Sequence, residues 1–162
     1  MPMRDTLAVT IVSTRVIGWR ERLSLPELGL EGVVAKMDTG ARTSALNATG
    51  IVVHHSAVED QSDVVSFDVR GSSRPARLLR VRSPIHDVRR VKSSNGQVEE
   101  RIVIRTAVVL GGRRFTIEMT LTDRSDMGFP ILIGRQALRR RFLVDAGRSF
   151  LVGPQHEEGG HR

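Results

Sequence analysis

Val33-Val34-Ala35-Lys36-Met37-Asp38-Thr39-Gly40-Ala41-Arg42-Thr43-Ser44 is the stretch on which the reading of the whole chain turns. An apolar run of strand composition delivers one carboxylate into a tight turn, where a hydroxyl residue and a glycine follow at once. Glycine lets the backbone bend sharply and approach a ligand closely. Thr39 and Ser44 supply hydroxyls able to fix the orientation of the Asp38 carboxylate. A reactive aspartate is presented in this way, and so is an ordinary loop at the end of a strand. Asp38, Thr39 and Gly40 are the candidate catalytic residues, and the rest of the chain has to separate the two readings.

With 162 residues the chain fits one domain and can bury a core without staples. It has no cysteine, which excludes disulfides and Cys-ligated metals. Aromatic residues make up only 4% and Tyr is absent, so stacking platforms for bases are scarce and nucleic acid is an unfavoured partner. Lys plus Arg number 25 against 18 Asp plus Glu, a formal charge of +7 that favours polyanionic partners. Leu7 to Val12 is too short and too interrupted for a secretion signal, and no stretch approaches a membrane span. The expectation is a soluble cytoplasmic protein with no membrane partner.

Working outward, residues 1–5 are expected to be frayed, and Thr6 to Val12 alternates as a half-buried strand. Val16 to Leu25 continues in the same manner, with Trp19 as a core anchor. Beyond the Asp38 turn, Thr49 to His55, Val64 to Val69 and Ala76 to Val81 read as strands, and Val65, Phe67 and Val69 share a face. His54 and His55, being adjacent on a strand, point to opposite faces and do not make a ligand pair. Val88 to Arg105 contains Asn95-Gly96, a preferred two-residue hairpin turn, which sets Lys92 opposite Glu99. Its small polar tip, Ser93-Ser94-Asn95-Gly96, is either a solvated end or a flap over a groove. A second hairpin turns at Gly111-Gly112, followed by alternating Phe115, Ile117, Met119 and Leu121.

Phe129 to Gly134 is an apolar run that reads as a buried strand, and Arg135 to Phe142 as a short basic helix. Phe142 to Val144 and Ser149 to Val152 are expected to close the fold as a strand pair, with residues 153–162 a disordered tail. The inventory predicts one mainly β domain over residues 6–152, a closed barrel or folded sheet with one short C-terminal helix.

The order of these features resembles that of the retropepsins: Asp38-Thr39-Gly40-Ala41 after an apolar strand, the glycine-tipped hairpin, the Gly111-Gly112 hairpin, then Ile131-Leu132-Ile133-Gly134-Arg135 and a short helix. More closely, Gly18-Trp19-Arg20-Glu21, Leu25-Pro26-Glu27-Leu28-Gly29, Ala35 through Leu46 and Lys92-Ser93-Ser94 are similar to the bacterial retropepsin-like proteins of RimB type, often labelled ATP-dependent zinc proteases and associated with ATP-grasp ligases that add glutamate tails. The chain has no phosphate-cradling Gly-x-x-x-x-Gly-Lys-Ser/Thr loop and its five histidines are scattered, so neither ATP nor zinc is expected as a cofactor.

The resemblance implies an aspartic peptidase with one aspartate per chain, completed by dimerisation so that two copies of Asp38 meet on a two-fold axis. Thr39 would lock the dimer turn, Gly40 and Ala41 would line the substrate backbone, and Ser93, Ser94, Asn95 and Gly96 would form the flap tip. Two departures from the retroviral pattern bear on substrate. Lys36 stands where those enzymes carry an apolar residue. Arg42 replaces an acidic residue that pairs with the arginine matching Arg135. With Lys92 or Arg101 on the flap, they make a cationic groove suited to acidic peptides such as poly-glutamate tails. Two other readings stand beside this one: a non-catalytic dimer that binds acidic tails or an ATP-grasp ligase, and a basic RNA- or ribosome-associated protein resting on net charge and on Arg139-Arg140-Arg141.

Overall fold

The computed structural model describes residues 14–73, 75–92, 95–124 and 128–153. The strand expected at Thr6 to Val12, the fraying expected at residues 1–5 and the tail expected beyond Gly153 lie outside the described residues, as do Ser93 and Ser94. Twelve strands are found among the described residues: β1 (Arg15–Gly18), β2 (Arg20–Leu25), β3 (Leu30–Met37), β4 (Ser44–Asn47), β5 (Thr49–His54), β6 (Val64–Arg70), β7 (Leu78–Pro84), β8 (Asp87–Lys92), β9 (Val98–Leu110), β10 (Arg113–Thr122), β11 (Ile131–Ile133) and β12 (Phe142–Asp145). One α-helix, α1 (Arg135–Leu138), accompanies them, with a single 3-10 turn at Pro26–Leu28. None of the described helices is long and apolar enough to cross a membrane.

Six strands close on themselves in the order β10-β4-β11-β3-β2-β9, with the β9–β10 hairpin joining the two ends, and β8 extends the sheet beyond β9. Closure leaves no open edge within the ring. The strand phases explain why it closes around a core. Leu23 and Leu25 on β2, Val33, Ala35 and Met37 on β3, and Ile117, Met119 and Leu121 on β10 all turn inward and are buried. Strands β5, β6 and β7 form a separate three-stranded antiparallel sheet. Its Val65, Phe67 and Val69 are buried in the same hydrophobic cluster, as their shared face predicts.

Turn chemistry sets the registers. Gly111 and Gly112 have φ of +60° and +76°, the left-handed pair a two-residue hairpin turn requires, and Leu110 pairs with Arg113 as expected. The β8–β9 hairpin departs from its predicted register by one residue, because Lys92 pairs with Val98 and Val91 with Glu99. Five residues, 93–97, separate the last paired residues Lys92 and Val98, where a two-residue turn was expected. Gly96 takes φ +82° there, and the Gln97 amide donates to Asn95 Oδ1 at 3.3 Å.

Three further expectations are corrected. β12 pairs in parallel with β1, not with Ser149 to Val152, which forms no strand. That segment is held by buried side-chain bonds to Glu21 instead of by a ladder. Helix α1 has four residues rather than eight, since Arg139 leaves helical geometry and Arg140 takes φ +64°. Trp19 is only half-buried, packed edge-on to Phe129 at 6.0 Å with the Arg20 guanidinium 4.9 Å from its ring centre. It joins two loops at the surface and does not anchor the core.

Candidate active site

β11 runs between β3 and β4, parallel to β3 and antiparallel to β4, so the chain leaving β3 must cross the end of β11 before returning as β4. Residues 38–43 make that crossing. As β3 ends, the Met37 amide donates to Trp19 O at 2.8 Å and the Asp38 amide to Ile133 O at 2.7 Å, which fixes the chain on both flanks. The turn closes when the Ala41 amide donates to Asp38 O at 3.2 Å. The Gly40 amide donates to Asp38 Oδ1 at 3.1 Å, leaving the half-exposed carboxylate held at one oxygen and open at the other.

Helix α1 abuts the turn from behind. Its first amides, Arg135 and Gln136, have no partner within the helix and donate to Ala41 O at 2.8 Å and Arg42 O at 3.1 Å. The approach is close enough to require glycine at position 134, where an added Cβ would lie 2.6 Å from the backbone carbonyl of Thr43. The buried Ser44 hydroxyl accepts from the Gly134 amide at 3.1 Å, so it ties the turn to α1 and does not orient the carboxylate. Arg135 donates from Nη1 to Thr39 O at 3.1 Å.

Asp38, Thr39, Gly40, Ala41, Arg42 and Arg135 are therefore brought together by direct bonds. Thr39, Arg42 and Arg135 open onto a surface hollow of about 720 Å³ whose other wall is apolar, from Leu138, Leu143 and Val144. Lys36 is exposed two residues before Asp38, and neither it nor Arg42 pairs with a carboxylate among the described residues. Lys92, Asn95 and Gly96 are exposed on the β8–β9 hairpin. Arg101, on the same hairpin, is already engaged. Its Nη2 lies 3.6 Å from Glu99 Oε2, and its buried Nε has no hydrogen-bond partner among the described residues.

Charge is concentrated where the hairpin leaves the barrel. Glu118 Oε1 meets His86 Nε2 at 3.0 Å and its Oε2 meets Arg89 Nη2 at 2.9 Å, while Arg89 Nε donates to Asp87 Oδ2 at 2.9 Å. Burial opposes ionisation of Glu118, but the hydrogen bond and charge of Arg89, joined by His86, outweigh it and hold the carboxyl below its ordinary range. Asp87 is lowered chiefly by its bond from Arg89 and then by the Val88 amide. The other histidines on strand β5 and after it are used locally, His54 with Ser66 Oγ at 2.8 Å and His55 with Asp63 Oδ2 at 2.9 Å. Among the described residues no group of three His, Asp or Glu side chains is placed to hold a metal ion.

Glu21 supports the site although sequence reasoning passed over it. It is fully buried, and Oε1 accepts from the Gly18 and Leu151 amides at 2.7 Å each. Val152 N lies 3.4 Å from both oxygens. The signal was present, since Glu21 shares the inward phase of Leu23 and Leu25 on β2.

A family model described as the retropepsin-like aspartic endopeptidase RimB matches residues 16–155. Among the curated proteins, a probable alpha-L-glutamate ligase of Shewanella halifaxensis is 37% identical over 143 residues, 88% of this chain and 31% of the relative. One of Parasynechococcus marenigrum is 38% identical over 144 residues, 88% of this chain and 30% of the relative. The chain therefore spans about a third of the length of the ligases it matches. Among solved structures, a Legionella pneumophila protein of unknown function superposes with a TM-score of 0.69 at 25% identity, covering 86% of this chain and 99% of that one. With the ring of six strands, the Asp-Thr-Gly turn backed by a short helix and the match across nearly all the described residues, the chain belongs to the RimB-like family of retropepsin-like proteins.

Proposed function

We propose that this chain is an aspartic peptidase that works as a homodimer, with Asp38 from each of two copies forming one catalytic pair and a carboxylate-rich peptide or protein tail as substrate. The observation that carries the reading is the Asp38 turn, a half-exposed carboxylate held at a single oxygen by the Gly40 amide on a backbone clamped by β11 and α1. One such carboxylate cannot serve as acid and base at once. Two in contact share a proton, since like charges at that distance do not both ionise readily. The ionised member takes a proton from water, whose oxygen adds to the peptide carbonyl carbon. The protonated member gives its proton to the carbonyl oxygen. Collapse of the tetrahedral adduct, with a proton passed to the amide nitrogen, breaks the C–N bond and releases an acid and an amine.

The rim beside Thr39 suits a second copy. Leu143 and Val16, paired across β12 and β1, are 61% and 48% exposed there. Lys36 and Arg42, without carboxylate partners among the described residues, favour acidic substrate side chains near the catalytic pair. The names of the ligase relatives point the same way, because a glutamate ligase makes a product rich in carboxylates. The β8–β9 hairpin would close over the bound chain and exclude water.

Those same relatives favour a second reading, in which the dimer binds acidic tails or a ligase partner without cutting. Peptide release from a glutamate-tailed substrate by wild type and by Asp38→Asn, together with the solution mass, separates the two. The peptidase reading expects a dimer whose release is abolished by Asp38→Asn. Binding by both proteins with release by neither would leave the binding reading in its place.

A further inference from the structure

A groove of about 990 Å³ lies where the three-stranded sheet meets the barrel, apart from the Asp38 turn and its hollow. Arg22 of β2, Val34 of β3, Asp68 and Arg70 of β6, Leu78 of β7 and Phe129 border it. Its charge is lopsided. Asp68 is held by Arg80 at 3.2 Å, so its charge is offset within the protein. Arg22 is fixed in place by donating from Nη1 to Gly32 O at 3.2 Å, and its guanidinium lies 5.6 Å from the Phe150 ring centre. A backbone carbonyl and a ring leave its positive charge uncompensated. The Arg70 side chain is exposed and makes no hydrogen bond or ion pair among the described residues. Two guanidinium groups without a carboxylate partner among the described residues thus line a hollow whose floor is partly apolar, with Leu78 63% exposed on its wall.

The groove is joined to the candidate catalytic turn by β3 itself. Gly32, Val34 and Lys36 lie on the outward phase of that strand, and the burial pattern alternates accordingly up to Met37, the residue before Asp38. Val34 stands four residues before Asp38, about 13 Å at the rise of a strand. An extended peptide covers that distance in about four residues, with side chains on one side recurring at about 7 Å. Along this track the protein places the cations Arg22 and Lys36, with Arg70 on the groove's other wall.

We propose that this groove is a secondary binding site for the distal part of a carboxylate-rich peptide, gripping a glutamate tail about four or more residues away from the bond to be cut. The site deepens the peptidase reading and rests on it for the identity of the tail. It makes length, as well as charge, a criterion for substrates: a short acidic peptide reaches only Lys36 and Arg42, and a long one also engages Arg22 and Arg70. The bidentate fork of a guanidinium matches a carboxylate, and the apolar wall accepts the methylene stems of glutamate side chains.

The test uses fluorescently labelled glutamate oligomers of about two and about twelve residues, with binding read by anisotropy on the Asp38→Asn protein so that cleavage does not intervene. Arg70→Gln in that background is expected to weaken the long oligomer by about two- to fivefold, the range of one exposed ion pair, and Arg70→Glu by more. The short oligomer is expected to bind all three proteins alike. Equal weakening of both oligomers, no weakening of either, or no binding of the long oligomer would overturn the proposal. The peptidase reading is checked separately in protein that retains Asp38. If it releases no product while the length-dependent effect of Arg70 persists, the groove stands and the catalytic reading falls.

Discussion

Replacing Glu21 tests how the fold holds its site. The carboxylate is fully buried and accepts two short bonds from the Gly18 and Leu151 amides, with the Val152 amide within 3.4 Å. Glu21→Ala leaves buried donors without an acceptor and opens a space beside β2. Hydrogen bonds to a charged group contribute about 1.5–3 kcal/mol each, so losing two costs about 3–6 kcal/mol, with the lower end expected if water enters. Glu21→Gln keeps the shape and one carbonyl acceptor but loses the charge. It should cost about 2–3 kcal/mol, the difference between charged and neutral bonds summed over both amides. Urea denaturation reads the effect. With a slope of about 2 kcal/mol/M, Glu21→Ala moves the midpoint down by about 1.5 M or more and Glu21→Gln by about 1–1.5 M, at unchanged slope. The damage should also reach the site, because the clamped segment supplies Arg148 O to the Trp19 amide at 2.9 Å, and Trp19 O in turn receives the Met37 amide next to Asp38. Midpoints for both variants within about 0.2 M of wild type would refute this reasoning, and so would Glu21→Gln falling below Glu21→Ala.

Gly134→Ala puts a Cβ 2.6 Å from the Thr43 carbonyl, so backbone must move; about 1–3 kcal/mol of stability and a drop in peptide release of about a hundredfold are expected, measured on the same preparation. Acid lability should be set in part by Glu118. Its folded-state value lies below the ordinary 4.5, so the stability it contributes is present above that pH and is lost as pH falls through the lower folded value. Glu118→Gln should therefore flatten the decline in melting temperature below about pH 4.5. Lys36→Ala with Arg42→Ala should raise KM for an acidic peptide by about two- to thirtyfold, the range of two exposed ion pairs, and weaken its salt dependence. Undiminished cleavage by that double variant would remove both residues from substrate recognition.

Much of the fold was legible because period-two alternation and glycine turns are local signals. The face shared by Val65, Phe67 and Val69, the Gly111-Gly112 turn and the apolar run at Ile131 to Ile133 all reappear as read. The misses are of a different kind. The partner of β12 is β1, more than a hundred residues away, and alternation says nothing of which strand a strand will meet. The one-residue error at the β8–β9 tip arose because Asn-Gly favours a two-residue turn while the chain makes a longer one, a choice decided by the whole ladder. In the site, the Asp38 turn was legible from residue types, yet the division of labour around it was not. Which donor holds the carboxylate, and that Arg135 reaches Thr39 O in place of an acidic partner, depend on how α1 meets the turn in space. Glu21 was legible only through its phase on β2, inward with Leu23 and Leu25, which its charge obscures.

Mixing wild type with Asp38→Asn at constant total concentration, after time for subunit exchange, tests the shared catalytic pair most directly. If each centre needs one carboxylate from each of two copies, release of peptide follows the square of the wild-type fraction, and an equal mixture retains about a quarter of the rate. A rate that falls in direct proportion, retaining about half, would mean that each copy cuts by itself and would contradict the shared centre.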